Sequence, residues 1–176
     1  LAGMLAYRTG LRRRETQMLR IQDIHPGSEP FLLIRPSRLA SLKTNSSKRR
    51  IPLRSLLSSD ELDALMAFRA RRIDQIGCEA GLLFADPSAT WTPLPYGRLI
   101  DPVTALFAAI TGQVGLPFRF HHLRHSFANW IFNAFLAMDE PELLVRRLPF
   151  LDSHLLSVDR LRRLRECFFP QSVEVE

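Results

Sequence analysis

Apolar positions along this chain fall into two periods, a helical one that dominates and a strand-like one confined to the first third. Residues 1–9 are largely apolar and read as a helix, which Gly10 interrupts. Helical character resumes from Arg12 to Arg20, with Leu11, Met18 and Leu19 as apolar anchors. His25-Pro26-Gly27-Ser28 reads as a turn. Phe31 to Arg35 and Arg49 to Leu53 read as strands, with Thr44-Asn45-Ser46-Ser47 as the hairpin turn between them. The stretch from Pro36 to Lys43 is a candidate for a further strand, giving a small antiparallel sheet.

From there the pattern is helical. Ser58-Ser59-Asp60-Glu61 is a helix start, because a Ser hydroxyl and an acidic residue three positions on can satisfy the first free N–H groups. That helix runs to Gly77, with Leu62, Leu65, Met66 and Ile73 on its apolar side and Arg69, Arg71 and Arg72 largely elsewhere. Leu82-Leu83-Phe84 reads as a short buried segment, and residues 86–97, with three prolines, as a loop. Asp101 and Pro102 are expected to open a helix ending near residues 112–115. Another helix is expected from about His121 to Met138, and two more near Glu140–Leu148 and Leu155–Cys167. The fold class is mainly α with a small antiparallel β-sheet, an α+β arrangement.

A length of 176 residues suits one domain with a real core. No stretch approaches the roughly 20 apolar residues of a membrane span, and Cys78 and Cys167 show no ligand or disulfide spacing, so a reducing cytoplasm is expected. The chain opens without Met on an apolar segment and reads as a piece of a longer protein. The net charge of +6 suits a polyanion partner, and 22 of the 24 basic residues are Arg, whose rigid fork matches phosphate oxygens. A GC-rich coding bias is the plain alternative.

Two clusters carry candidate chemistry. His121, Arg124 and His125 are spaced i, i+3, i+4 and share a helix face, while Leu123, Phe127, Trp130, Ile131 and Ala134 form the apolar face that anchors it. The cluster falls in the first turns of its helix, where free N–H groups and the helix dipole favour an anion. Alternatives are a surface helix with satisfied histidines, or a metal held by His121 and His125. The neighbouring Arg124 and the lack of an acidic third ligand argue against the metal. Upstream, Arg12 and Glu15 lie i, i+3 after Gly10, so Glu15 can hold the Arg12 guanidinium.

G-L-R-R-R-E at 10–15, L-K-T-N-S-S-K-R-R-I-P-L at 42–53 and H-H-L-R-H at 121–125 occur in this order. Together they resemble the catalytic domain of the tyrosine recombinases of the phage integrase family. The resemblance covers residues 1–138 and leaves 139–176 as an insertion or helical extension of a single catalytic-type domain. It implies the DNA breaking-rejoining fold, double-stranded DNA as partner, oligomers on DNA and no cofactor. Arg12 and Arg124 would clamp the scissile phosphate. Lys43 would stand beside the leaving oxygen, with Lys48 as runner-up. His121 would act on the phosphate or its proton traffic, and Glu15 and His125 would support the arginines. In this family a tyrosine attacks phosphorus, displaces the 5′-hydroxyl and leaves a 3′-phosphotyrosine. Fixed cations stabilise the charge that spreads over the equatorial oxygens.

The chain departs from the family pattern after His125. A further His or Trp and then, nine residues on, the nucleophilic Tyr are expected there. The tyrosines here are Tyr7 and Tyr96, both upstream of His121, and nine residues after His154 stands Arg163. The chain alone is therefore expected not to cleave DNA. A non-catalytic DNA-binding relative that keeps the phosphate clamp is the alternative.

Overall fold

A computed structural model describes residues 1–36, 48–87, 89–112, 118–136 and 157–169. Helix α1 spans Ala2–Thr9 and α2 spans Arg13–Gln17. A single 3-10 turn, Ile21–Asp23, leads into strand β1, Ile24–His25, followed by β2, Phe31–Ile34, and β3, Arg49–Pro52. Then come α3, Leu53–Leu56; α4, Ser59–Ile76; α5, Tyr96–Thr111; α6, Phe120–Leu136; and α7, Val158–Phe168. The three strands form an antiparallel sheet in the order β1-β2-β3. The mainly helical α+β class read from the sequence is the class observed.

The sheet register explains which strand residues are buried. Ile24 pairs with Leu32, Leu32 with Ile51, and Ile34 with Arg49, so these side chains share the core-facing side. Ile24, Leu32, Ile34 and Ile51 are all buried. Arg49 occupies the end of that same row, and its guanidinium reaches sideways to Glu15. The sheet gains its third strand from residues 24–25, ahead of the first turn. The strand expected between Pro36 and Lys43 and the turn at 44–47 lie essentially outside the described residues.

Among the described residues a large core joins most elements, and a smaller cluster of Ala6, Ile100, Phe120 and Leu123 links α1, α5 and the start of α6. Leu5, Leu11, Ile21, Leu32, Leu53, Leu65, Trp130 and Leu164 belong to the large core. α1 packs on both α5 and α6, and the Trp130 indole N–H donates to the Tyr7 carbonyl at 3.2 Å, pinning α6 to α1. α7 has 11 residues, too few to be stable alone. It docks on α3 and α6 through Leu161 and Leu164, each worth about 2 kcal/mol of apolar burial. The helix expected at Glu140–Leu148 lies outside the described residues.

Helix α4 follows its sequence signals. The Ser58 hydroxyl accepts the Glu61 N–H, the Glu61 carboxylate reaches back to the Ser58 N–H at 2.9 Å, and Gly77 closes the far end. Three other expectations are corrected. Helix α5 begins at Tyr96, so Asp101 is not its cap and Pro102 lies inside it. Pro102 removes one helical N–H, at a cost of about 3 kcal/mol. Leu99 and Ile100, both buried ahead of the proline, offset it by about 2 kcal/mol each. The second correction is Arg72, which faces inward and is 3% exposed. The helix resumed after Gly10 is also shorter than expected, ending at Gln17.

Candidate phosphate-binding site

The site is built where α1 ends. Gly10 takes the left-handed conformation, φ 65°, and turns the chain sharply into α2. The Phe127 ring of α6 lies so close that a methyl group at Gly10 would overlap it. With the ring against Gly10, Arg124 on the same helix donates from its guanidinium to the Gly10 carbonyl at 2.6 Å. Residues 114 apart in sequence are thereby joined.

Arg12 is the N-cap of α2, in extended conformation. Glu15, three residues on, accepts the Arg12 backbone N–H at 2.8 Å and its guanidinium at 2.8 Å. The carboxylate thus both closes the helix terminus and aims the arginine, a fuller role than the exposed Arg-Glu pair its spacing alone would suggest. Arg49 of β3 completes the arrangement, donating to the two Glu15 oxygens at 3.2 and 2.9 Å. The Glu15 side chain is 6% exposed, while Arg12 remains 40% exposed. The R-R-I-P-L segment was legible as a strand, but Arg49 was not legible as a site residue. Its signal is a basic residue at the end of a core-facing row.

Electrostatics here favour an anion. Burial and the nearby positive charges of Arg12 and Arg49 lower the pKa of Arg124, against the opposing pull of Glu15. Among these four groups positive charge is in excess, with three guanidiniums against one carboxylate. Glu15 feels the opposite balance. Burial disfavours its charge, but the hydrogen bonds and charge of Arg49 and the hydrogen bonds of Arg12 prevail and hold it below its ordinary 4.5. A depressed folded pKa means that Glu15 stabilises the fold fully above the ordinary carboxylate range. That contribution is lost as pH falls through the lower, folded value. Chemical denaturation should therefore show wild-type stability declining as pH drops below about 4.5, with a shallower acid decline in Glu15→Gln. Identical acid slopes in the two proteins would show that Glu15 is not held this way.

The histidines are placed differently from the arginines. His121 and His125 are exposed, their rings meeting edge to face with centroids 4.3 Å apart. Arg124 between them is half-buried and turned toward Gly10. The start of α6 is also less open to an anion than its sequence position suggests. The Phe120 N–H donates to the Tyr96 hydroxyl at 3.1 Å, and the Arg119 N–H to Nδ1 of His122 at 3.1 Å. Tyr96 therefore caps the helix that carries Arg124. Arg13 lies over its ring, 5.0 Å from the centroid. Tyr7 packs against the core. Lys43 and His154 lie outside the described residues. Lys48 is exposed at the entrance to β3.

A second arginine-carboxylate knot repeats the pattern. Asp23, buried, accepts the Arg20 N–H and guanidinium and also the Arg35 guanidinium at 2.9 Å. Arg20 is thus held by this carboxylate rather than left to solvent.

Residues 1–140 match the sequence profile described as the phage integrase family. The chain belongs to the phage integrase family. It carries a tyrosine recombinase domain, of an enzyme class that recombines DNA. No curated protein and no solved structure matches the chain. Integrase-family domains act on DNA, whose accessible anion is the backbone phosphate. None of the described helices is long and apolar enough to cross a membrane.

Proposed function

We propose that this integrase-family domain supplies the phosphate clamp of a site-specific DNA recombinase. Arg12 and Arg124 hold the scissile phosphate, Glu15 aims Arg12, and Lys43 and His121 manage the proton of the leaving 5′-oxygen. His125 supports the second arginine motif. The supporting observation is the bond from Arg124 to the Gly10 carbonyl, which draws Arg124 to the residues next to Arg12. Two guanidiniums aimed at one phosphoryl group stabilise the equatorial charge of its transition state more than that of the ground state. In a complete recombinase a tyrosine would attack phosphorus, displace the 5′-oxygen and store the bond energy as a 3′-phosphotyrosine. Residues 1–138 form the catalytic-type domain in this proposal, and 139–176 a helical extension of it. The assembled enzyme would work as an oligomer on double-stranded DNA in the cytoplasm.

The tyrosines of this chain do not fit the attacking role. Tyr96 uses its hydroxyl to cap α6, and Tyr7 packs against the core. The chain by itself is thus expected to bind duplex DNA in a salt-dependent way and to form no covalent adduct. The second reading is a DNA-binding relative that keeps the phosphate clamp without a nucleophile. Incubation with a nicked suicide duplex, followed by denaturing electrophoresis, checks the expectation. A denaturant-stable DNA adduct mapped to Tyr7 or Tyr96 would overturn it. Absence of any salt-dependent DNA binding would overturn both readings.

A further inference from the structure

Arg49 has the geometry to act on the clamp through Glu15. It approaches from β3, a different element from the α2 turn that carries Arg12 and Glu15, and donates to each carboxylate oxygen in turn. Such a two-point grip fixes the plane of the carboxylate as well as its position. Arg12 donates to one of the same oxygens, Oε1, at 2.8 Å. The direction in which Arg12 points is therefore set by a carboxylate whose own orientation is set by the sheet. The neighbouring Arg50 supplies a natural comparison. It carries the same charge one residue away, but it is exposed, on the opposite side of the strand, over the Phe31 ring at 3.8 Å.

We propose that Arg49 is a positioning residue of the phosphate clamp: by gripping both oxygens of Glu15 from β3, it fixes the carboxylate that aims Arg12. The proposal rests on Arg12 and Arg124 being the clamp. It predicts an effect on Arg12 beyond the loss of one positive charge. The downward pull of Arg49 on the Glu15 pKa agrees with the same contact.

Arginine-detected NMR of the full chain, titrated with inorganic phosphate, tests this. Arg49→Gln is expected to shift and broaden the Arg12 guanidinium signal. It should weaken phosphate binding roughly tenfold more than Arg50→Gln, the size of a coupling within one ion-pair network. Arg49→Lys should recover part of the loss, because a point charge can hold one oxygen but not two in plane. Arg49→Lys decides the matter if Arg49→Gln does not fold: a partly shifted Arg12 signal with intermediate phosphate affinity is expected, and a wild-type signal and affinity would overturn the proposal. Equal phosphate affinities in Arg49→Gln and Arg50→Gln, with an unchanged Arg12 signal, would overturn the proposal. Arg12→Ala and Arg124→Ala separate this failure from that of the clamp. If both leave phosphate binding intact, the clamp itself is wrong. If both weaken binding while Arg49→Gln behaves like Arg50→Gln, only the role of Arg49 is wrong.

Discussion

Changing Arg12 and Arg124 together to alanine is expected to weaken DNA binding by about ten- to a hundredfold at physiological salt. Charge-assisted hydrogen bonds are worth about 1.5–3 kcal/mol, and every 1.4 kcal/mol is about tenfold in affinity. The sharper test is the salt dependence. Two arginines on one phosphate neutralise one phosphate, so the slope of log affinity against log salt should shrink by about 0.9 in the double variant. Two arginines contacting separate phosphates would shrink it by about twice that. For the same reason the single variants should each lose most of the double variant's effect, since half a clamp leaves the phosphate held from one side. Arg71→Ala, which removes an exposed charge from α4, is the control for general loss of charge. A double variant that binds like this control would show that the clamp does not touch DNA. Fluorescence anisotropy across a salt series measures the wild type and all four variants.

Much of this site was legible before any coordinates, because its parts are local patterns with a physical reason. A glycine before L-R-x-x-E marks a helix junction, and i, i+3 spacing lets Glu15 reach back to Arg12. The apolar row Leu123, Trp130, Ile131 and Ala134 gives the buried face of α6 directly from its period. What escaped depends on contacts between distant segments. Arg49 reads as one more basic residue beside Arg50. Only the strand register shows that Arg49 shares a side with Ile34 and Ile51. Tyr96 in a proline-rich loop gives no hint that its hydroxyl will meet the Phe120 N–H. Pro102 was misread for a related reason. A proline after an acidic residue is the local mark of a helix start, but burial of Leu99 and Ile100 lets the helix begin before it. Tertiary burial decides between local signals of similar strength, and no window of sequence contains it.

Arg72 is the clearest case of an environment the helical period could not give, and its loss should be the most costly to the fold. Its guanidinium donates to the carbonyls of Leu82, Asp86, Pro87 and Ala89, and to the Gln75 side chain. Removing it leaves several carbonyls without a donor, at about 1–3 kcal/mol for each that water cannot reach. The Arg stem also vacates a packed space. Arg72→Ala is therefore expected to destabilise the protein by about 3–5 kcal/mol, or about 10–15 °C in melting temperature for a chain of this length. Arg72→Lys should lose less, since a lysine can satisfy part of the carbonyl set. Arg71→Ala should stay within about 0.5 kcal/mol, as exposed substitutions do. Calorimetry compares the three, and equal stabilities of Arg72→Ala and Arg71→Ala would show that the carbonyls find other donors. The damage should also reach the clamp. The loop Arg72 holds returns through the Leu94 carbonyl, which accepts from Gln17 at the end of α2, and then enters α5 at Tyr96, the cap of α6. Both helices that carry clamp arginines are thus braced by the loop around Arg72. At a temperature where the variant remains folded, Arg72→Ala should bind DNA more weakly than Arg71→Ala, although Arg72 itself is buried and cannot touch a phosphate.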